Sequence, residues 1–194
     1  MHQLSCRCGS VRGHIRDGRP SNRVRCFCRD CQAFAAHLGA EATVLDAHGG
    51  TEILQVSQAR LVFDTGLGEL ACLRLSPTGL LRWYAGCCNT PIGNTLPNPK
   101  VSLIGLVHSC LDRPSLDRDF GSGVANVNTG AAVGEPRPPG SGLLSTLAKF
   151  VAMTVADRVS GRYRQSPLFS GNGVPIAEPR VLGGPGTVTP RRRP

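Results

Sequence analysis

Short apolar runs broken by turn residues fill the first 110 positions. Residues 10–16 set Val11, Gly13 and Ile15 on one side and polar residues on the other, the period of two of a half-buried strand. "TEILQVS" (51–57) and "RLVFDTG" (60–66) are apolar runs of strand length, and "AHGG" (47–50) before them reads as a turn. Residues 70–86 read as a hairpin, with Ser76-Pro77-Thr78-Gly79 supplying the turn chemistry. "KVSLIGLVH" (100–108) alternates Val101, Leu103, Gly105 and Val107 as a further strand. The one early helical pattern is "QAFAAHLG" (32–39), stopped by Gly39.

The pattern changes near residue 120. Residues 121–142 are rich in Gly and Pro and read as a linker. Residues 143–165 then carry Leu144, Leu147, Val151, Val155 and Val159 at spacings of three and four. That is an amphipathic helix whose apolar side is expected to pack on its own domain, ended by Gly161 and Pro167. The organisation expected is a folded domain over 1–120, a linker over 121–142, a helix over 143–165 and a flexible basic tail over 166–194, ending in "RRRP".

Composition supports a mainly β chain. Only 5% of the 194 residues are aromatic, while Gly (24) and Pro (15) are abundant. The net charge of +9 comes almost wholly from arginine, and no arginine stripe is interleaved with aromatics, so nucleic acid is disfavoured as a partner. An anionic small ligand near Arg23, Arg25 and Arg29 fits the charge as well. The N-terminus lacks the apolar core of a secretion signal, and no window reaches the ~18–20 apolar residues of a membrane span. A cytoplasmic location is expected, where thiols stay reduced.

Nine cysteines in such a compartment point to metal or catalysis rather than to disulfides. Cys72 and Cys110 stand alone in apolar stretches and read as small buried hydrophobes. The other seven cluster as Cys6-x-Cys8, Cys26-x-Cys28-x-x-Cys31 and Cys87-Cys88. Thiolates are soft ligands that hold Zn²⁺ tetrahedrally, and Gly9 relieves the turn after Cys8. Seven ligands suggest one site of four and one of three; three protein ligands leave a position for water or substrate. A redox dithiol at Cys28-x-x-Cys31 is the competing reading. It is weakened because the motif does not read as opening a helix in a βαβ unit and because it leaves Cys6 and Cys8 unexplained. Ligand type favours zinc, although the spacing also admits iron.

The stretches "CRCGSVRG" (6–13), "RCFCRDCQAF" (25–34) and "WYAGCCNTPIGN" (83–94) resemble the family of glutathione-dependent formaldehyde-activating enzymes and centromere protein V. The whole chain also resembles an uncharacterised bacterial branch of that family. The resemblance implies a β-tent fold of small antiparallel sheets fastened by zinc. It assigns Cys6 and Cys8, with the late pair Cys87 and Cys88, to a structural zinc. Cys26, Cys28 and Cys31 would form an open second site that meets a thiol substrate. The late motif departs from the family pattern C-x-x-C-G-T-P: Ala85 stands at the first cysteine position and Asn89 at the glycine. Cys87 is then a stand-in, and adjacent cysteines in an extended strand would point to opposite faces. A tight turn, or a left-handed Asn89, would bring both thiols round.

Two functions follow. One is an enzyme of carbon–sulfur lyase type, adding a thiol such as glutathione to formaldehyde or another small carbonyl. Arg25 and Arg29 would then offset the charge of about −1 left by three thiolates on Zn²⁺ and hold ligand carboxylates. The other is a non-catalytic, zinc-stabilised module that binds protein or nucleic acid. Asp30 is a candidate helix cap, and His37 is either a fourth ligand that closes the second site or a solvent-facing side chain.

Overall fold

A computed structural model of the protein describes residues 1–18 and 20–182. The apolar runs form strands β1 (His2–Ser5), β2 (Arg12–Ile15), β3 (Asn22–Cys26), β4 (Thr51–Ser57), β5 (Leu61–Thr65), β6 (Leu70–Arg74), β7 (Leu81–Ala85), β8 (Thr90–Thr95), β9 (Leu103–Val107), β10 (Ala125–Val127) and β11 (Pro179–Val181). Helices α1 (Arg29–Leu38), α2 (Glu41–Val44), α3 (Leu116–Phe120) and α4 (Leu143–Val159) lie among them. The protein is mainly β. A three-stranded sheet runs β1-β2-β5, and an eight-stranded sheet runs β10-β3-β4-β9-β8-β7-β6-β11. All pairings are antiparallel except at the two edges of the large sheet, where β10 and β11 add in parallel. Among the described residues no helix is long and apolar enough to cross a membrane.

Strand alternation gives the large sheet two different faces. Leu54, Val56, Trp83 and Leu106 point inward and pack against Leu4, Val11, Ile15 and Leu61, forming the main core. Trp83, fully buried there, donates its indole N–H to Thr95 at 3.0 Å, so the polar handle of the largest core residue is satisfied. The other face carries the cross-strand row Arg82, Asn94, Gly105, Gln55 and Asn22, one residue per strand in ladder register. Beside that row Val24 and Ile53 pack with Cys26 and Cys31.

Helix α1 starts at Arg29, earlier than the apolar pattern suggests, and ends where expected, with Gly39 left-handed at φ +63°. The segment read as a linker contributes structure: β10 completes one edge of the large sheet. The tail is also partly built in. Leu168 is fully buried, and β11 covers the other edge through pairing with β6. Residues 183–194 of the expected tail lie outside the described residues.

The largest departure is the orientation of α4. Its predicted apolar side is turned to solvent: Leu144 is 82% exposed, and Leu147, Val151 and Val155 are all more than half exposed. The side that docks is Thr146, Phe150, Met153 and Asp157, also spaced by four, three and four. Polar anchors decide the choice. Asp157, 1% exposed, accepts from the Ser57 hydroxyl and from Arg162 Nε, and the Asn22 amide donates to the Thr146 carbonyl at 3.0 Å. A buried carboxylate deprived of its partners would cost more than several exposed aliphatic groups. Asp157→Ala is accordingly expected to destabilise the fold by about 2 kcal/mol. Val151→Asp, on the presumed packing side, should change stability by no more than about 0.5 kcal/mol. Chemical denaturation of the two variants beside the parent checks both values.

Candidate metal centres

Two sets of cysteine thiols converge. In the first, Cys6 follows β1 and Cys8 sits in the turn before β2. The turn closes through Gly9 N–H on the Cys6 carbonyl at 3.0 Å and Cys6 N–H on the Val11 carbonyl at 2.9 Å, with Gly9 left-handed at φ +78°. From the other side come Cys87 and Cys88, in the turn between β7 and β8. The amides of Cys88 and Asn89 both donate to the Ala85 carbonyl, and Asn89 is left-handed at φ +56°. The segment is therefore a tight turn and not extended strand, and neighbouring thiols reach the same point. The sulfurs stand 3.5 Å apart for Cys6–Cys8, 3.9 Å for Cys6–Cys87, 3.3 Å for Cys8–Cys87 and 3.8 Å for Cys87–Cys88. Four thiolates at 2.3 Å from one tetrahedral ion would be ~3.8 Å apart. The set thus fits a metal ion both in donor type and in spacing.

The surroundings of Cys8 suit thiolate, whereas burial and then hydrogen bonding with Cys8 push the Cys87 thiol up to about 12. Val11 N–H donates to Cys6 Sγ at 3.3 Å. Hydrogen bonding with Ser10 is the main cause that lowers the Cys8 thiol to about 6. Arg7 ties the two turns together, its amide donating to Thr90 Oγ1 and its guanidinium to the Cys88 carbonyl, both at 3.0 Å.

The second set is Cys26, Cys28 and Cys31, whose sulfurs lie within 4.8 Å of one another. Cys26 ends β3, Cys28 precedes α1 and Cys31 lies in its first turn. Cys28-x-x-Cys31 therefore stands at the start of a helix, though not in the βαβ unit that a redox motif of this kind would need. The strand after that helix in the chain, β4, runs antiparallel to β3, so there is no βαβ unit. The Cys26 thiol is held far below its ordinary value by hydrogen bonds from Cys28 and then Cys31, and further by Asn128, whose amide donates to Cys26 Sγ at 3.2 Å. Hydrogen bonding to Cys26, then to Cys28, drives Cys31 far up in turn. Asn128 reaches the sulfur because it is left-handed, φ +58°, just after β10.

All three thiols line a cavity of about 290 Å³ on the outer face of the large sheet. Its walls are mostly apolar and include Val24, Ile53, Leu103 and Phe150 of α4. Gly105 forms part of the lining, and a Cβ there would meet the Ile53 side chain at 2.7 Å. Arg82 and Asn94 supply polar groups. The Arg82 side chain is 2% exposed, donates to Asn94 Oδ1 at 3.1 Å, reaches the Asp30 carboxylate at 3.5 Å and stands 5.4 Å over the Phe34 ring.

The two arginines favoured from sequence are elsewhere. Arg25 alternates to the opposite face from Cys26 and pairs with Asp46 at 3.5 Å, and Arg29 is exposed on the first turn of α1. Neither lines the cavity. His37 lies in the last turn of α1 against Arg180, 3.3 Å away, and is not among the groups that converge with the three thiols. Asp30 makes no capping bond and instead faces Arg82. Cys72 and Cys110 are buried, and burial pushes each thiol up to about 12. Arg82 had a legible signal: it is a charge in an apolar strand, opposite in phase to Trp83. Asn128 had none, since it lies 97 residues beyond Cys31 in a segment that reads as a linker.

A family profile matches residues 1–180, described as a family of unknown function, DUF6151. The chain belongs to DUF6151. All seven clustered cysteines of this DUF6151 chain fall inside the matched span. No curated protein matches it. Among solved structures, a Rhodobacter sphaeroides protein determined as a structural genomics target is similar with a TM-score of 0.44. Its identity is 16%, over 63% of this chain and 97% of that one.

The hydrogen bond from Asn128 gives a direct expectation. Asn128→Ala should weaken cobalt or zinc binding at the three-cysteine set by about tenfold, as loss of an outer partner does. The four-cysteine set should be unaffected. Chelator competition, resolving two classes of metal release, checks this.

Proposed function

We propose that the protein holds two zinc ions in a β-tent fold, one structural and one that receives a small thiol. Cys6, Cys8, Cys87 and Cys88 would hold the first, closed by four thiolates. Cys26, Cys28 and Cys31 would hold the second. The observation that carries the reading is that all three of the latter thiols line one cavity, whereas none of the first four does. A zinc ion with three protein ligands supplies Lewis acidity that favours the thiolate form of an incoming thiol. The chain's own residues prepare the place. Asn128 donates to Cys26, Arg82 sets a buried positive charge in the lining of the same cavity, and Gly105 leaves the lining clear of a side chain.

The reaction class we propose is addition of a thiol to a small carbonyl, a carbon–sulfur lyase-type activity of the kind that the formaldehyde-activating resemblance implies. Most of the cavity wall is apolar, which suits a compact organic reactant. The alternative is a zinc-stabilised module without turnover, and the thiol response separates the two.

Two metal ions per chain by native mass spectrometry support the scheme. Cys8→Ser should lose one ion and unfold or aggregate. Cys28→Ser should stay folded, lose the other ion and no longer respond to thiol. In cobalt-substituted protein, added thiol should shift the visible spectrum of the parent. One ion per chain, equal damage from both variants, or a spectrum indifferent to any thiol would overturn the open-site reading.

A further inference from the structure

Arg82 presents an unusual charge. Its side chain is 2% exposed, and its salt-bridge partner, Asp30, is 3.5 Å away with 63% of its own side chain in solvent. Its other contacts are neutral: Asn94 at 3.1 Å and the Phe34 ring. An arginine carries five N–H donors, and the bonds to Asn94 and Asp30 use two. A buried guanidinium so weakly paired is costly unless a further anion meets it. Arg82 lines the cavity that the three thiols also line.

The rest of the cavity limits what that anion belongs to. Its volume of about 290 Å³ is at the lower end for ligand sites, which run from ~300 to ~1,000 Å³. Its walls offer Val24, Ile53, Leu103 and Phe150, and Asp30 stands at the side of Arg82 as a charge hostile to a second carboxylate. Phe150 comes from α4 and is brought in by the same docking that buries Asp157. A long peptide with several charges does not match such a space.

We propose that Arg82 anchors a single carboxylate, and that the ligand of this cavity is a short thiol acid: one carboxylate for Arg82, a compact apolar body for the walls, and a sulfur for the three-cysteine set. The class rests on the thiol reading of that set, but the carboxylate anchor stands on the cavity alone. Arg82 is a binding residue here and takes no part in bond making.

The test uses matched probes on the metal-loaded full chain, read by calorimetry and by the visible spectrum of the cobalt form. 3-Mercaptopropionate should bind about ten- to a hundredfold more tightly than its neutral partner 3-mercapto-1-propanol, the span of one charge-assisted pair. Glutathione should bind more weakly than the short acid. Equal affinity of acid and alcohol would overturn the anchor, and if both still shifted the cobalt spectrum the thiol reading would survive it. Conversely, a thiol-free acid such as 3-phenylpropionate should bind the parent by calorimetry and lose that binding in Arg82→Met. That result would sustain the anchor even with a silent cobalt spectrum. Arg82→Lys, which keeps the charge, should retain part of the acid preference and guards against loss of fold in the Met variant. Preference for glutathione over the short acid would overturn the proposed size class.

Discussion

Sulfur from two distant parts of the chain meets at one end of the main core, and the join between the sheets depends on that meeting. The three-stranded and eight-stranded sheets share no strand ladder. They are held by inward-facing side chains that share one core cluster, Leu4 from the small sheet with Trp83 and Leu106 from the large one, and by the convergence of residues 6–8 with residues 87–88. Cys6 belongs to the core itself and Cys88 packs on it, whereas Cys8 and Cys87 are exposed. Apolar burial is non-directional and sets no register between two sheets. Four thiols gathered within 4.8 Å of one another do set one, since each comes from a turn with a defined backbone. Ordering those turns costs conformational entropy, which an ion held by the four thiols would offset with directional bonds available only in the folded chain.

The second consequence concerns the opposite face of the large sheet. With the core made on one side, the other is free to carry a row of polar groups, and Arg82, Asn94, Gln55 and Asn22 occupy it in register. Gly105 interrupts the row where a Cβ would strike Ile53, and the interruption leaves room. The cavity then needs walls. Helix α1 supplies Cys28 and Cys31 at its start, β10 supplies Val127 with Asn128 after it, and α4 supplies Phe150. The segments read as linker and appended helix are thus parts of the cavity. Asn22 connects both functions, donating to Gln55 within the row and to the Thr146 carbonyl of α4.

Much of this was legible from residues alone. Strands, the 70–86 hairpin and the helix stop at Gly39 follow from local pattern, which needs no knowledge of distant contacts. The division of the cysteines into four and three followed from coordination number together with the resemblance, and the structure brings the same sets together. Even the awkward Cys87-Cys88 pair had a stated remedy, the left-handed Asn89, which is found. Choices between equivalent alternatives were not legible. Helix α4 has two stripes at helical spacing, and hydrophobicity favours the wrong one; Ser57 and Arg162, which decide for Asp157, lie on other elements. Asn128 and β11 act through partners about 100 residues away.

The arginines show why proximity in sequence misleads. Arg25 adjoins Cys26 by one peptide bond, and for that reason its side chain leaves the strand on the other face. Arg82 is 51 positions from Cys31 and reaches the same cavity because its strand alternates in phase with Asn94. The difference is also electrostatic. A charge in solvent at the start of α1, such as Arg29, acts through water, whose high dielectric weakens its effect on the three thiols. A charge inside the cavity acts through a lower effective dielectric and is several times stronger at equal distance. Asn94, Asp30 and the Phe34 ring each return part, and only part, of what Arg82 loses on leaving water. Among the described arginines Arg82 is the one that lines this cavity, and burial in phase with the ladder places it there.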